Sequence, residues 1–150
     1  MNRLKLEEYN RLSKAQQIEL IKRCYNFPKL KVMRERTDEE LAEGCIFFIN
    51  MFCEIYDKEK GRYTPFTLFS IQEDYIRECF KYNKLIINKS RQCGFTWVSC
   101  AIIIYYLLFM DGQQILVLSK KGEDAYEIVR RVKSILDRLP DFMRPQKDAY

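Results

Sequence analysis

The side chains best suited to chemistry lie between positions 89 and 96. Lys89 and Arg91 are cationic, Gly94 permits a tight turn and Thr96 offers a hydroxyl. A phosphate-binding loop of the form G-x-x-x-x-G-K-S/T surrounds phosphates with backbone N–H groups, while its lysine reaches the terminal phosphates and its hydroxyl binds Mg²⁺. Here Phe95 stands in the lysine position and Lys89 in that of the first glycine. Because a phosphate requires only a cation within reach, the pattern still predicts a phosphate-binding loop.

The segments around this loop fit the same prediction. Residues 85–87 are apolar and predict a strand over residues 85–88 that enters the loop, and the uncharged residues 97–110 predict a helix leaving it. The N-terminus of such a helix directs N–H groups and a positive dipole end at an anion. A second strand is predicted over residues 115–118, followed from Gly122 by a helix with apolar residues at a spacing of 3.6. This order predicts an α/β fold with a parallel βαβ core.

The uncharged stretch from 92 to 110 approaches the ~20 residues that cross a bilayer. Its first third is polar, however, and only residues 101–110 are strongly apolar. We therefore predict a buried helix and no membrane partner.

Two further segments join the loop in resembling a known family. Residues 64–72 read TPFTLFSIQ, residues 89–97 read KSRQCGFTW and residues 115–119 read ILVLS. Together they resemble the start of the ATPase motor of tailed-phage large terminase subunits, which package viral DNA. The resemblance covers about residues 45–145. It implies part of a P-loop NTPase, preceded by an N-terminal helical segment, with ATP and Mg²⁺ as cofactors.

The resemblance also implies roles for individual residues. Gln72 becomes the side chain that reads adenine, since an amide presents a donor and an acceptor side by side. Phe69 becomes the ring against the base. Lys89, and after it Arg91, are the candidate catalytic cations at the β- and γ-phosphates, and Thr96 is the candidate Mg²⁺ ligand. The candidate phosphate-binding residues are Lys89, Ser90, Arg91, Gln92, Cys93, Gly94, Phe95 and Thr96.

Structural alternatives exist for the same residues. Ser70 and Glu73 have the spacing of a capping box, which would leave Gln72 solvated in the first turn of a helix. Thr96 could serve as a helix N-cap. Arg91 could form a salt bridge with an acidic neighbour, and Lys89 could be solvated at the end of a strand.

Charge is uneven along the chain. The formal net charge is +5, yet residues 1–36 carry ten Lys/Arg against four Asp/Glu, which is +6 and leaves −1 for the remainder. We predict a basic, helical N-terminal arm over residues 1–60, including a second helix that begins with a Thr37 to Glu40 capping box and runs towards Tyr56. Its basic face could lie on a partner, on the motor or on DNA phosphates. Residues 61–65 are predicted to link this arm to the first part of an ATPase domain, over residues 61–150.

Six cysteines form no C-x-x-C pair, and the chain has no histidine, which excludes zinc sites that pair Cys with His. Free, buried thiols and the lack of a secretory pattern predict a reducing cytoplasm. The resemblance implies that it is the cytoplasm of a bacterial host.

The resemblance implies that the chain is the N-terminal portion of an ATP-driven DNA-packaging motor. The full-length protein would be an ATPase and a nuclease, whereas residues 1–150 lack an apolar strand ending in Asp-Glu after Ser119 and are expected to be inactive alone. Double-stranded viral DNA, the portal protein, the small terminase subunit and further copies of the chain are the implied partners. The alternatives are another helicase-like P-loop motor on nucleic acid, or a non-catalytic interaction fold that has lost its nucleotide.

Overall fold

The computed structural model describes residues 11–24, 36–110 and 112–144. Within these residues the fold is mixed α/β, with five α-helices and two β-strands. The elements in chain order are α1 (Lys14–Cys24), α2 (Asp38–Phe52), β1 (Glu54–Asp57), β2 (Arg62–Pro65), α3 (Ser70–Lys81), α4 (Phe95–Phe109), α5 (Gly122–Leu136) and a 3₁₀ turn (Asp141–Met143).

Tertiary contacts group the chain into two compact units, and neither is continuous in sequence. The first unit runs to Phe52 and resumes over Thr67–Arg91. The second comprises Cys53–Phe66 and the chain from Gln92 onwards. The sequence predicts a division by function, into an N-terminal arm up to residue 60 and an ATPase domain from residue 61. That functional division stays a prediction.

In the first unit, α2 packs against α3. The predicted capping box at the start of α2 is confirmed: the Thr37 N–H donates to Glu40 Oε2 at 3.1 Å, and the Glu40 N–H donates to Thr37 Oγ1 at 3.2 Å. Beyond this cap α2 is mostly buried, and Arg77 of α3 donates to Glu43 Oε1 at 2.8 Å across the helix pair. The predicted N-terminal helix is present as α1, while residues 1–10 and 25–35 of the arm lie outside the described residues.

The second unit begins with a hairpin that the sequence interpretation missed. The two strands pair antiparallel, from Glu54 opposite Pro65 to Asp57 opposite Arg62. In the turn, the Asp57 carboxylate accepts the N–H groups of Lys60 and Glu59, which lowers the pKa of Asp57. The helix expected to run towards Tyr56 therefore ends at Phe52, and most of the predicted linker is strand β2. Aromatic and β-branched residues on both sides of a turn ending in glycine favour this hairpin.

Helices α4 and α5 form the rest of the second unit's core. Both predicted helices are confirmed, α4 directly after the loop and α5 from Gly122. Cys100 of α4 is buried and its Sγ lies 3.8 Å from the Ile128 carbonyl oxygen of α5. In the described part of the chain no helix has both the length and the apolar character needed to cross a bilayer.

The two segments predicted as parallel strands have no regular secondary structure. Residues 85–88 and 115–118 belong to no sheet, and β1 with β2 forms the sheet that the described residues contain. Strands of a parallel core would be buried, whereas Ile86 is 98% exposed and Leu116 is 81% exposed. A strand requires a neighbour for its backbone N–H and C=O groups, and neither segment has a ladder partner among the described residues. The parallel core thus stays a prediction.

Candidate nucleotide-binding loop

The backbone before α4 turns sharply. Gln92 has φ of 66° and Gly94 has φ of 72°, both in the left-handed region, and Gln92 is the single non-glycine with positive φ among the described residues. That conformation costs an L-residue roughly 1–2 kcal/mol. Such strain persists where surrounding structure enforces it and is common at ligand clamps. The turn is therefore of the class whose consecutive N–H groups can face an anion.

Helix α4 starts immediately after this turn. Gly94 is its N-cap, and its carbonyl oxygen accepts the N–H groups of Trp97 at 2.9 Å and Val98 at 3.2 Å. The first turn of α4 contains no acidic residue. No carboxylate on that turn therefore neutralises the positive end of the helix dipole or repels an anionic ligand there.

Phe95 and Thr96 both lie in the first turn of α4, but they differ in burial. Phe95 is buried in the core of the second unit, so its side chain holds α4 in place and only its backbone could contact a phosphate. Thr96 is half-buried in the first turn of α4. Because Gly94 is the N-cap, the alternative that Thr96 caps the helix is wrong, and its hydroxyl stays a candidate metal ligand.

The loop residues divide between the units. Lys89, Ser90 and Arg91 end the first unit and are exposed, and the Lys89 Nζ donates to the Ser90 carbonyl oxygen at 3.5 Å. Gln92 opens the second unit and is exposed, while Cys93 is half-buried. Both candidate cations thus belong to the first unit, and the turn that leads into α4 belongs to the second.

Gln72 is buried, with 2% of its surface exposed. It lies in the first turn of α3, whose N-cap is Phe69, and its Oε1 accepts the Phe69 N–H at 3.1 Å. The expected capping box of Ser70 and Glu73 is therefore wrong, and so is the alternative of a solvated Gln72. Glu73 instead forms an ion pair with Arg77 at 3.6 Å. The ring of Phe69 is largely exposed, and the adenine role of Gln72 stays a prediction.

Sequence interpretation missed a second candidate surface, which lies within the second unit. Tyr56 and Tyr63 from the hairpin, Trp97 from α4 and Arg130 and Arg131 from α5 surround one cavity. A hairpin pattern over residues 54–65 was the available signal for the tyrosines. The meeting of three separate elements could not be read from spacing.

Among the residues that the structure describes, no group of three or more Cys, Asp, Glu or His side chains could hold a metal ion. No protein-family model matches the chain, and no solved structure matches it.

Proposed function

We propose that this chain is the nucleotide-binding N-terminal portion of the ATPase motor of a DNA-packaging terminase large subunit. The observation that carries the proposal is the turn at residues 92–94, where Gln92 and Gly94 are left-handed and a 15-residue helix begins at the next residue. Two cations, Lys89 and Arg91, precede that turn. Backbone donors, a helix N-terminus and nearby cations are the elements that bind a polyphosphate.

In this proposal the phosphates of ATP face the N–H groups at the start of α4. Lys89, with Arg91 as second candidate, neutralises the β- and γ-phosphate charge, and the Thr96 hydroxyl would hold Mg²⁺, which supplies further charge neutralisation when bound. Gln72 would contact adenine. Turnover also requires groups that position the attacking water, so we expect residues 1–150 to bind ATP weakly and not to hydrolyse it.

The proposed context is a phage or prophage protein acting in the cytoplasm of its bacterial host. Double-stranded DNA, the portal protein, the small terminase subunit and further copies of the chain are its proposed partners. All of these rest on the resemblance of residues 64–72, 89–97 and 115–119.

Titration with a fluorescent ATP analogue in the presence of Mg²⁺ tests the loop. We expect Lys89→Ala to weaken binding about 10- to 100-fold, the range for losing a hydrogen bond to a charged group. Lys84→Ala is the matched control, because Lys84 is an exposed lysine upstream of the loop. If Lys89→Ala and Arg91→Ala both bind like the native chain, the loop assignment is wrong.

Gln72 requires a separate test because it also caps α3. Gln72→Glu keeps an oxygen acceptor at the cap but removes the amide donor that adenine would use. We expect it to weaken ATP binding and to leave pyrophosphate binding unchanged. Equal weakening of both ligands would assign Gln72 a structural role only.

The burial of Phe95 favours a second candidate, a non-catalytic interaction fold that has lost its nucleotide. An apolar residue in place of the usual lysine removes one phosphate contact from the loop. The titration with the fluorescent ATP analogue decides between the two candidate functions, because an interaction fold that has lost its nucleotide would not bind ATP.

A further inference from the structure

An open cavity of about 350 Å³ lies between the hairpin and α5, entirely within the second unit. We call it the aromatic–basic groove, and it is defined by Tyr56, Lys58, Tyr63, Trp97, Arg130 and Arg131. None of these residues belongs to the loop of residues 89–96.

The hairpin side of the groove is held in a fixed position. The Tyr63 hydroxyl and Ser134 Oγ form a hydrogen bond of 2.9 Å, which ties β2 to α5. The Arg138 guanidinium lies 3.2 Å from the centre of the Tyr63 ring. The Ser134 hydrogen bond and then Arg138 lower the pKa of Tyr63. Tyr56 packs against Tyr63 edge to face at 5.2 Å and remains 41% exposed, so it offers a preorganised aromatic surface to a ligand.

The opposite side of the groove carries an excess of positive charge. Arg131 lies over the Trp97 ring at 5.1 Å, and Glu127 forms ion pairs with Arg130 at 3.2 Å and with Arg131 at 3.3 Å. Glu127 is the one carboxylate of the lining, against the three cations Lys58, Arg130 and Arg131. The Arg130 side chain is 67% exposed. The lining therefore has a net positive charge with an accessible guanidinium.

Aromatic rings beside accessible cations match one ligand chemistry, an unpaired nucleobase attached to a phosphate. Bases stack on aromatic side chains without sequence preference, and cations follow the phosphates. An acidic peptide would use the cations and leave the rings without a partner. We propose that the aromatic–basic groove binds an unpaired nucleotide, with its base on Tyr56 and its phosphate at Arg130 and Lys58. The source could be single-stranded nucleic acid or a free mononucleotide.

Trp97 is the chain's one tryptophan, so its fluorescence reports on the groove directly. We expect a short oligothymidylate to quench this fluorescence in a saturable, salt-dependent titration. Thymine also avoids the adenine contact proposed for Gln72. Arg130→Ala should weaken binding and reduce the slope of log affinity against log salt by about 0.7, the value for one phosphate contact on a single strand.

Lys133→Ala is the matched control, because it removes one exposed charge from the same helix but from outside the groove. Its salt slope should equal that of the native chain. If Lys133→Ala and Arg130→Ala weaken binding equally, the groove is not the binding site and the proposal is overturned.

A ring variant tests stacking separately from charge. Tyr56→Leu should weaken oligothymidylate about 5- to 100-fold, the range for one base–aromatic contact, whereas Tyr56→Phe should retain binding. Tyr126→Leu is the control, because Tyr126 is an exposed tyrosine on α5 that does not line the groove. Native affinity in Tyr56→Leu would overturn the stacking role.

Titrations with different ligands show whether the groove binds a free mononucleotide or single-stranded nucleic acid. Saturable quenching by thymidine monophosphate at comparable concentration assigns the groove to a free nucleotide, and quenching by the oligomer alone assigns it to a single strand. Quenching by neither, or equal affinity for a duplex or for polyglutamate, overturns the proposal. Where only the oligomer quenches, Arg130→Ala should bind the ATP analogue normally, which separates this groove from the loop of residues 89–96.

Discussion

Gln72 and Cys100 show how burial sets the chemistry of single side chains. Gln72 is enclosed, and its carbonyl oxygen is committed to the N–H of Phe69. Cys100 is enclosed between α4 and α5, where burial raises the pKa of its thiol to about 11. Both residues therefore affect folding stability, whatever the chain binds.

Removing the Gln72 side chain should destabilise the first unit. Gln72→Ala leaves the Phe69 N–H without its acceptor, and losing a helix cap costs about 1 kcal/mol of unfolding free energy. Urea denaturation measures this change. Gln114→Ala, at an exposed position outside any helix or strand, should match the native chain. Native stability in Gln72→Ala would show that the cap contributes nothing.

The Cys100 thiol should make stability depend on pH at the alkaline end. Its folded-state pKa of about 11 exceeds the ordinary value of 9.0, so the folded state favours the neutral thiol. Its contribution is fully present below pH 9.0 and is lost as pH rises towards 11. The difference in unfolding free energy between the native chain and Cys100→Ala should therefore decrease across this range. A constant difference would contradict the shift.

At the scale of elements, local hydrogen bonds decide where helices and strands begin. The box formed by Thr37 and Glu40 starts α2, and the Asp57 turn closes the hairpin. Helix α2 then stops at Phe52, because the following residues pair in β1. The capping box is short-range and readable in sequence, whereas the strand pair joins residues up to eleven positions apart.

The α2 cap gives an element-level prediction. Thr37→Ala should lower the unfolding free energy by about 1 kcal/mol, because the Glu40 N–H loses its side-chain acceptor. Thr37→Ser should retain most of the stability, since the hydroxyl is kept. Thr67→Ala, at an exposed position outside any helix or strand, is the control in the same thermal or urea melts. If Thr37→Ala is as stable as Thr67→Ala, the Thr37 cap does not stabilise α2.

At the scale of the whole molecule, each unit presents an exposed apolar segment that has no strand partner among the described residues. Residues 85–88 belong to the first unit and residues 115–118 to the second. Ile86 is the most exposed large side chain of the first segment, and Leu116 and Leu118 are equally exposed in the second. When such a segment takes up a strand conformation, its unpaired N–H and C=O groups are a template for pairing with other chains, and charged side chains oppose such pairing.

We therefore expect purified residues 1–150 to form dimers or larger species. Ile86→Lys combined with Leu116→Lys should reduce association, because charge at an edge disfavours strand addition. Leu107→Lys changes an exposed leucine on α4 and should not reduce it. Size-exclusion chromatography with light scattering measures the mass of each protein. A monomeric native chain at high concentration would refute this prediction.

The sequence alone was sufficient for features that depend on neighbours along the chain. The capping box at Thr37, the helix after Gly94 and the helix from Gly122 were all predicted and are present. Each depends on contacts within about four residues, which spacing and residue type encode directly.

Only the tertiary structure decided features that depend on distant partners. It showed that Gln72 is enclosed, that residues 85–88 and 115–118 have no strand neighbour among the described residues, and that Trp97 meets Arg131. An apolar run is compatible with a buried strand or an exposed one, since pairing is supplied by residues elsewhere in the chain. Burial and the meeting of side chains follow from how elements pack, and a local pattern does not contain that information.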